Sequence, residues 1–143
     1  MASAVKFQAF VEHVAEKVHN LGADSLKVLL SVDAPSASLD AVKADLTSEL
    51  STANGYTSGG TAPSITSSAQ TSGTYKLVLA DVVFTASGGN IGPFRYTVLY
   101  NDTPTSPADP LILYWDYGSN ITLADGETFT WDADPTNGIL TIA

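Results

Sequence analysis

Apolar residues near the start of the chain recur at spacings of three and four, which places them on one side of an α-helix. Polar and charged residues occupy most of the intervening positions. Ser3 is a suitable N-cap and Gly22 a suitable residue just beyond the C-terminus. The pattern predicts an amphipathic helix over residues 4–21, with an apolar stripe formed by Phe7, Phe10, Val11, Val14, Val18 and Leu21.

The apolar period changes to two at residue 26. Residues 26–32 alternate between apolar side chains and a mixed set, which predicts a strand with one buried face, and Pro35 follows as its terminator. Residues 39–50 carry a thin apolar stripe at helical spacing and therefore indicate a short helix.

Residues 51–74 differ sharply in composition from their surroundings. They read STANGYTSGGTAPSITSSAQTSGT and consist largely of Ser, Thr and Gly. Such a segment has little apolar surface with which to offset the entropy lost on ordering. We expect a long polar loop or arm, extended near Ile65 and mobile in isolation.

The remaining residues, 75–143, have the composition of a β-rich body. Turn-forming segments separate short runs of aromatic and β-branched residues, and no alternation of strands with helices is present. This pattern predicts a mainly β (α+β) fold with an antiparallel β-sandwich, jelly roll or small barrel. The predicted strands are 75–86, bulged at Asp81, then 94–100, 111–117, 120–123, 127–131 and 139–142.

Length and composition narrow the classes of protein further. A chain of 143 residues with 44% apolar residues predicts one domain, residues 1–143, with a substantial core. Without cysteine it forms no disulfide and no thiolate metal site. No apolar run approaches the roughly 20 residues that span a bilayer, and the N-terminus lacks a signal-peptide pattern. We therefore expect a soluble protein made without a secretion signal.

The charge is acidic and unevenly distributed. The formal net charge is −9, and Arg95 is the one basic residue against eight acidic residues in 77–143. An acidic surface repels phosphate backbones and anionic lipids. We therefore expect neither nucleic acid nor membrane among the partners.

Residue types that carry catalysis are present, but their spacing does not favour a site. His13 and His19 lie six positions apart on the predicted helix, so they point in different directions and are interpreted as solvated. Gly88, Gly89 and Gly92 lead into a strand-like segment, whereas a phosphate loop leads into a helix. We interpret the glycines as a turn and predict no catalytic, cofactor-binding or metal-binding residues.

Clustered carboxylates leave two weaker alternatives open. A glycosidase needs two carboxyl groups flanking a sugar cleft, and a calcium site needs several oxygen ligands. The acidic residues are more typical of solvated turns, because no ligand loop accompanies them. The candidates are Asp116, Asp125, Glu127, Asp132 and Asp134.

The aromatic residues allow two interpretations, a sugar-stacking surface or a core. Strand alternation predicts two rows that face each other as in a sandwich core, and this favours the core. Arg95 lies on the opposite side and is expected to form a local ion pair. The rows are Phe94, Tyr96, Val98 and Tyr100, and Leu111, Leu113, Trp115 and Tyr117; Tyr114 and Trp131 complete the aromatic set.

Three segments resemble a family of small virion structural proteins of tailed bacteriophages. SGTYKLVLADVVFTASGGNIGPFRYTVLYND (72–102) and DPLILYWDYGSNITLADGETFT (109–130) carry the resemblance. KFQAFVEHVAEKVHNLGADSLKVLLS (6–31) and NGYTSGG (54–60) fit the same family. FTASGGNIGPFRYTVLYND is the most distinctive piece.

The resemblance implies a structural role in the particle and no enzymatic activity. It favours a capsid cement, or decoration, protein that forms a homotrimer and binds the major capsid protein on the outer head shell, after assembly in the host cytoplasm. On this view the helix stripe either caps the sheet or packs against partner subunits or the coat. A tail, baseplate or fibre component and a carbohydrate-binding module for host attachment are the alternatives.

Overall fold

The computed structural model describes residues 2–143 and contains one short helix and nine strands within that range. Every pairing between these strands is antiparallel, as predicted. The elements are β1 (Ala4–Lys6), α1 (Ala9–Ala15), β2 (Leu26–Ser31), β3 (Ile65–Thr71), β4 (Thr74–Leu79), β5 (Val82–Thr85), β6 (Ile91–Asn101), β7 (Leu111–Leu123), β8 (Thr128–Trp131) and β9 (Leu140–Ile142), with a 3₁₀ turn at Lys43–Asp45.

The strands form three sheets. The largest has the order β1-β7-β6-β2, the second the order β3-β4-β9, and β5 pairs with β8 alone. One face of the four-stranded sheet packs against residues from the two smaller sheets in a large apolar cluster, here called the inner cluster. It includes Leu26, Val28, Leu30, Leu77, Leu79, Val82, Phe84, Phe94, Leu99, Ile112, Leu113, Trp115, Leu123 and Trp131.

The opposite face of the four-stranded sheet is also buried. Its apolar side chains form a second cluster, the outer cluster, made of Phe7, Leu29, Val98, Tyr100 and Leu111. The prediction that residues 26–32 bury one face is therefore wrong, because β2 contributes to both clusters. Alternation correctly locates such a strand but cannot show that a second layer covers its other side.

The predicted helix over residues 4–21 is wrong in its extent. Only Ala9–Ala15 are helical, and Ala4–Lys6 instead form β1, which pairs with β7. Phe7 is buried in the outer cluster and Phe10 in the inner cluster. A continuous helix would present both side chains on one stripe, so the two destinations require the chain to change conformation between them.

The C-terminus of α1 lies seven residues before the predicted cap at Gly22. Lys17 adopts a left-handed conformation with φ of 66°. Val18 N donates to His13 O at 2.9 Å and Lys17 N donates to Val14 O at 3.3 Å, which is the Schellman pattern. Lys17 occupies the position just beyond the helix where glycine is preferred. The residue preferences of helix ends therefore did not indicate that α1 ends at Ala15.

Residues 32–64 are irregular but packed against the body. The short helix predicted over residues 39–50 is reduced to the 3₁₀ turn Lys43–Asp45. Backbone hydrogen bonds attach the following chain to the free edge of β2: Leu50 N donates to Leu30 O at 3.0 Å, and Val28 and Thr61 exchange two bonds at 2.9 Å. The edge strand is thereby covered by its own loop.

The segment 51–74 is therefore not a free arm. Its C-terminal part forms β3, which confirms the extended piece near Ile65, and Tyr56 is buried. The accessible surface of 7100 Å² is close to the roughly 7000 Å² expected for a compact monomer of 14.9 kDa. Neighbouring strands supply the apolar surface and backbone partners that the segment itself lacks.

The predicted strands of the C-terminal body are present with small shifts of their ends, but one predicted strand is divided and two others are joined. The strand predicted over 75–86 divides at Ala80 and Asp81 into β4 and β5, which belong to different sheets. Asp81 Oδ1 accepts a hydrogen bond from Ala133 N at 2.9 Å and fixes the crossing point. The strands predicted at 111–117 and 120–123 are one continuous strand, β7.

Gly60 and Gly73 both have left-handed backbones, but only Gly60 lies against β2. Substituting each of them measures how much stability depends on the close approach of residues 60–61 to β2. A Cβ at Gly60 (φ 80°) would overlap the carbonyl of Val28 and lie 2.8 Å from Leu29 Cα, whereas a Cβ at Gly73 (φ 85°) meets nothing within 4 Å. We expect Gly73→Ala to cost about 1 kcal/mol of backbone strain. Gly60→Ala should lower the free energy of unfolding by about 3 kcal/mol or more, because the bridge to Thr61 must also move.

Chemical denaturation of the two variants measures this difference. Equal losses for Gly60→Ala and Gly73→Ala would show that the loop does not need its close contact with β2.

Candidate functional site

The carboxylates of the acidic C-terminal part stabilise turns. Asp125 Oδ1 accepts a hydrogen bond from Gly88 N at 2.9 Å, and Glu127 Oε1 accepts one from Ala124 N at 2.7 Å. Asp134 accepts bonds from Thr136 N and Asn137 N, and these bonds lower the pKa of its carboxyl group. The interpretation as turn acids agrees with these contacts.

Arg95 forms the local ion pair that the sequence predicted. Its Nε and Nη2 donate to the two carboxylate oxygens of Asp116 at 2.7 and 3.0 Å. This bidentate contact lowers the pKa of Asp116, with a further contribution from Gly118 N. Both side chains are exposed at the surface of the four-stranded sheet.

The segment NGYTSGG (54–60) contacts the glycine-rich turn that contains Gly88 and Gly89. Asn54 Nδ2 donates to Asn90 O at 2.8 Å, and Asn54 O accepts from Ser87 N at 2.9 Å. A Cβ on Gly89 (φ 155°) would lie 2.8 Å from the Asn54 side chain, which would have to move and give up its position beside Asn90. Residues 86–90 connect β5 to β6, so Gly88 and Gly89 lie in a turn as predicted, whereas Gly92 belongs to β6.

The two tryptophans belong to the core. Trp131 is 1% exposed and Trp115 is 7% exposed, and their rings meet edge to face with centroids 5.3 Å apart. The two predicted rows do not face each other as in a sandwich, because β6 and β7 are neighbouring strands of one sheet. Register shifts at Phe94/Tyr96 and Leu99/Tyr100 divide them, so that Phe94 joins the inner cluster while Tyr100 joins the outer cluster with Leu111.

A partly buried polar network, which no sequence pattern indicated, centres on Glu49. Its Oε2 lies 2.9 Å from Lys43 Nζ, and its Oε1 accepts hydrogen bonds from Tyr56 Oη at 3.0 Å and from Gly59 N. The Glu49 side chain is only 13% exposed. Protein donors thus surround both oxygens of this carboxylate.

Two tyrosines extend the network into the four-stranded sheet. Tyr56 Oη accepts a hydrogen bond from Leu30 N at 3.1 Å, and Tyr100 Oη donates to Gly59 O at 2.5 Å. Burial raises the pKa of both phenols, so both remain protonated donors at neutral pH. The sequence feature that could have indicated this network is Tyr56, because it is the one aromatic residue among the small polar residues of 51–74.

The two histidines lie together, contrary to the prediction that they point apart. Because α1 ends at Ala15, the chain returns and brings the ring of His19 to a centroid distance of 6.0 Å from that of His13. Both side chains are partly buried, so the solvated interpretation is also wrong. Within residues 2–143, no group of three or more His, Asp or Glu side chains is arranged to hold a metal ion.

An apolar hollow lies between α1 and β9. Val11 is 55% exposed and Ile142 is 38% exposed. Together with Phe10, Val14 and Leu140 they line a hollow of about 280 Å³ that also includes Lys6. The predicted stripe is thus divided, because Phe10 caps the sheet while Val11 faces outward.

None of the helices described for residues 2–143 combines the length and hydrophobicity needed to cross a membrane.

Comparison with known proteins identifies no relative, since no family model, no curated protein and no solved structure matches the chain. The resemblance to phage virion proteins stays a prediction from the sequence.

The partly buried pair Lys43–Glu49 and the more exposed pair Arg95–Asp116 allow the Glu49 network to be tested. Glu49→Gln removes the charge that Lys43 needs and weakens the acceptor for Tyr56 and Gly59. We expect the free energy of unfolding at pH 7 to fall by about 2–4 kcal/mol. Asp116→Asn removes the exposed partner of Arg95 and should cost far less.

Denaturant unfolding of both variants, monitored by tryptophan fluorescence, measures the two losses. A loss for Glu49→Gln no larger than that for Asp116→Asn would contradict the central role of the network.

Proposed function

We propose that the chain is a virion structural protein of a tailed bacteriophage, a capsid cement or decoration protein that binds the outer surface of the head shell. It stabilises contacts between capsomers by binding the major capsid protein, and it acts as a homotrimer on the capsid surface. The sequence resemblance over most of the chain is the starting point. A β-sandwich-like body, with the inner cluster between its layers, is part of the same proposal.

The observation that carries the proposal is the exposed apolar surface between α1 and β9. Contiguous exposed apolar side chains are typical of protein interaction sites. Val11 and Ile142 stand at the rim of this hollow, above the buried Phe10. The sequence pattern allowed the helix stripe to meet the coat or a neighbouring subunit, and the outward direction of Val11 supports that alternative.

Weak individual contacts are sufficient for such a protein. One small domain covers only part of a standard interface of about 800 Å² per partner. In a trimer, the first contact raises the effective concentration for the second and third, which increases avidity by roughly 10²–10⁴. The acidic charge of −9 helps to keep unbound copies soluble and apart.

The structure favours this role over the carbohydrate-binding module. Sugar-binding surfaces use exposed aromatic rings, whereas Trp115 and Trp131 pack against each other in the inner cluster. A tail, baseplate or fibre component is distinguished by copy number, because such parts are present in far fewer copies than the coat protein.

The test mixes purified protein with shells of the major capsid protein and counts the bound copies. We expect saturation near the copy number of the coat protein. Saturation at about a dozen copies would point to a tail component, and the absence of binding would contradict the proposal.

Two valines of equal exposure provide matched variants. Val11 lies in the hollow and Val83 lies on β5, and both are 55% exposed. We expect Val11→Glu to weaken shell binding about tenfold or more, because a charge would have to be buried at the contact. Val83→Glu should bind as the unmodified protein does. Equal binding by both variants would exclude the hollow as the contact surface.

A further inference from the structure

A buried polar cluster joins the N-terminal segment to the end of β6. Asn101 is fully buried, and its side-chain nitrogen donates to Asp24 Oδ2 at 2.7 Å and to His19 Nδ1 at 3.0 Å. Its side-chain oxygen accepts a hydrogen bond from Thr103 N at 3.1 Å. The Asn101 amide therefore has a partner for both of its hydrogens and for its oxygen.

These contacts fix the orientation of the Asn101 amide. A rotation by 180° would direct its oxygen at the Asp24 carboxylate and its hydrogens at Thr103 N–H, and both contacts would be repulsive. The amide nitrogen must then remain the donor toward His19. His19 Nδ1 can only accept, so the neutral ring carries its hydrogen on Nε2.

The surroundings of His19 offer little to balance a positive charge. His13 on α1 has its ring centroid 6.0 Å away, and Phe10 packs against the His19 ring at 5.1 Å. Asp24 is the one acidic group that acts on the ring, while Lys17 and Tyr75 border the same surface hollow. Asp102, next to Asn101, is paired with Lys27 at 3.0 Å.

We propose that the Asn101 amide makes the attachment of residues 2–21 acid-sensitive. A proton on His19 Nδ1 points at the N–H of the Asn101 side chain, and the repulsion between the two hydrogens displaces the His19 ring together with Phe10. The segment then leaves the four-stranded sheet while β6 and β7 remain paired. This inference does not rest on the proposed virion role.

The direction of the pH dependence follows from the folded and free states of the ring. Burial, and next the neighbouring His13, lower the pKa of His19 from 6.5 to about 4, although Asp24 opposes the change. The released segment has the ordinary value. The attachment is therefore at full strength above about pH 6.5 and weakens as the pH falls toward 4.

Hydrogen exchange of the full chain between pH 7 and 4.5, corrected for intrinsic rates, tests the proposal. We expect protection of α1 and β1 to fall by up to about tenfold per pH unit below 6.5, as uptake of one proton requires. Protection in the centre of β6 should change much less. An equal fall in β6 would show global unfolding and overturn the release of a segment.

Two variants separate His19 from its neighbour. His19→Gln has no titrating ring and should retain α1 protection down to pH 4.5, while His13→Gln should still lose it. Constant α1 protection in the unmodified chain, or an unchanged loss in His19→Gln, would overturn the proposal.

Nitrogen-detected NMR of the imidazole rings gives a readout independent of folding stability. We expect the Nε2–H form of His19 at pH 7. Asn101→Leu removes the donor that opposes a proton on Nδ1 without placing a second carboxylate beside Asp24, and it should raise the pKa of the His19 ring. An Nδ1–H form in the unmodified protein would refute the role assigned to Asn101.

Discussion

Glu49 holds an irregular segment against a sheet that is buried on both faces. Residues 32–64 contribute Leu46 to the outer cluster and Tyr56 to the inner cluster. A carboxylate that binds Lys43, Tyr56 and Gly59 supplies a further attachment, and backbone bonds to β2 complete it. Because the network lies in a partly buried site, its hydrogen bonds are stronger than they would be in water. Removing one partner leaves the others unsatisfied.

Because the four-stranded sheet is buried on both faces, the N-terminal segment contributes side chains to both of them. Phe7 fills the outer cluster and Phe10 the inner cluster, so the chain passes around the margin of the sheet instead of lying along one face. The early end of α1 then brings His19 back to Asn101 and next to His13. An acid-sensitive contact is thus a consequence of how the segment is attached, and it follows from the position of two phenylalanines.

The surface is simple by comparison with the interior. Carboxylates bind nearby backbone amides, and Arg95 binds Asp116. The large aromatic rings lie inside, so what the surface offers to a partner is shape, acidic charge and a few apolar side chains such as Val11. Both oxygens of Glu49 have protein partners, Lys43 on one side and Tyr56 and Gly59 on the other.

The sequence by itself determined the antiparallel strands from residue 75 onward, the turns between them and the burial of Trp115 and Trp131, because alternation and turn chemistry act over a few residues. It also determined that Arg95 forms an ion pair, because Arg95 is the one basic residue among the eight acidic residues of 77–143. The extent of the helix, the packed loop at Tyr56 and the pairing of His13 with His19 were decided only by tertiary structure. Each depends on which distant surface a residue meets: β7 pairs with residues 4–6, β2 binds the loop, and Asn101 receives His19. The periodicity of a segment depends only on its own residues and therefore cannot predict which distant residues it contacts.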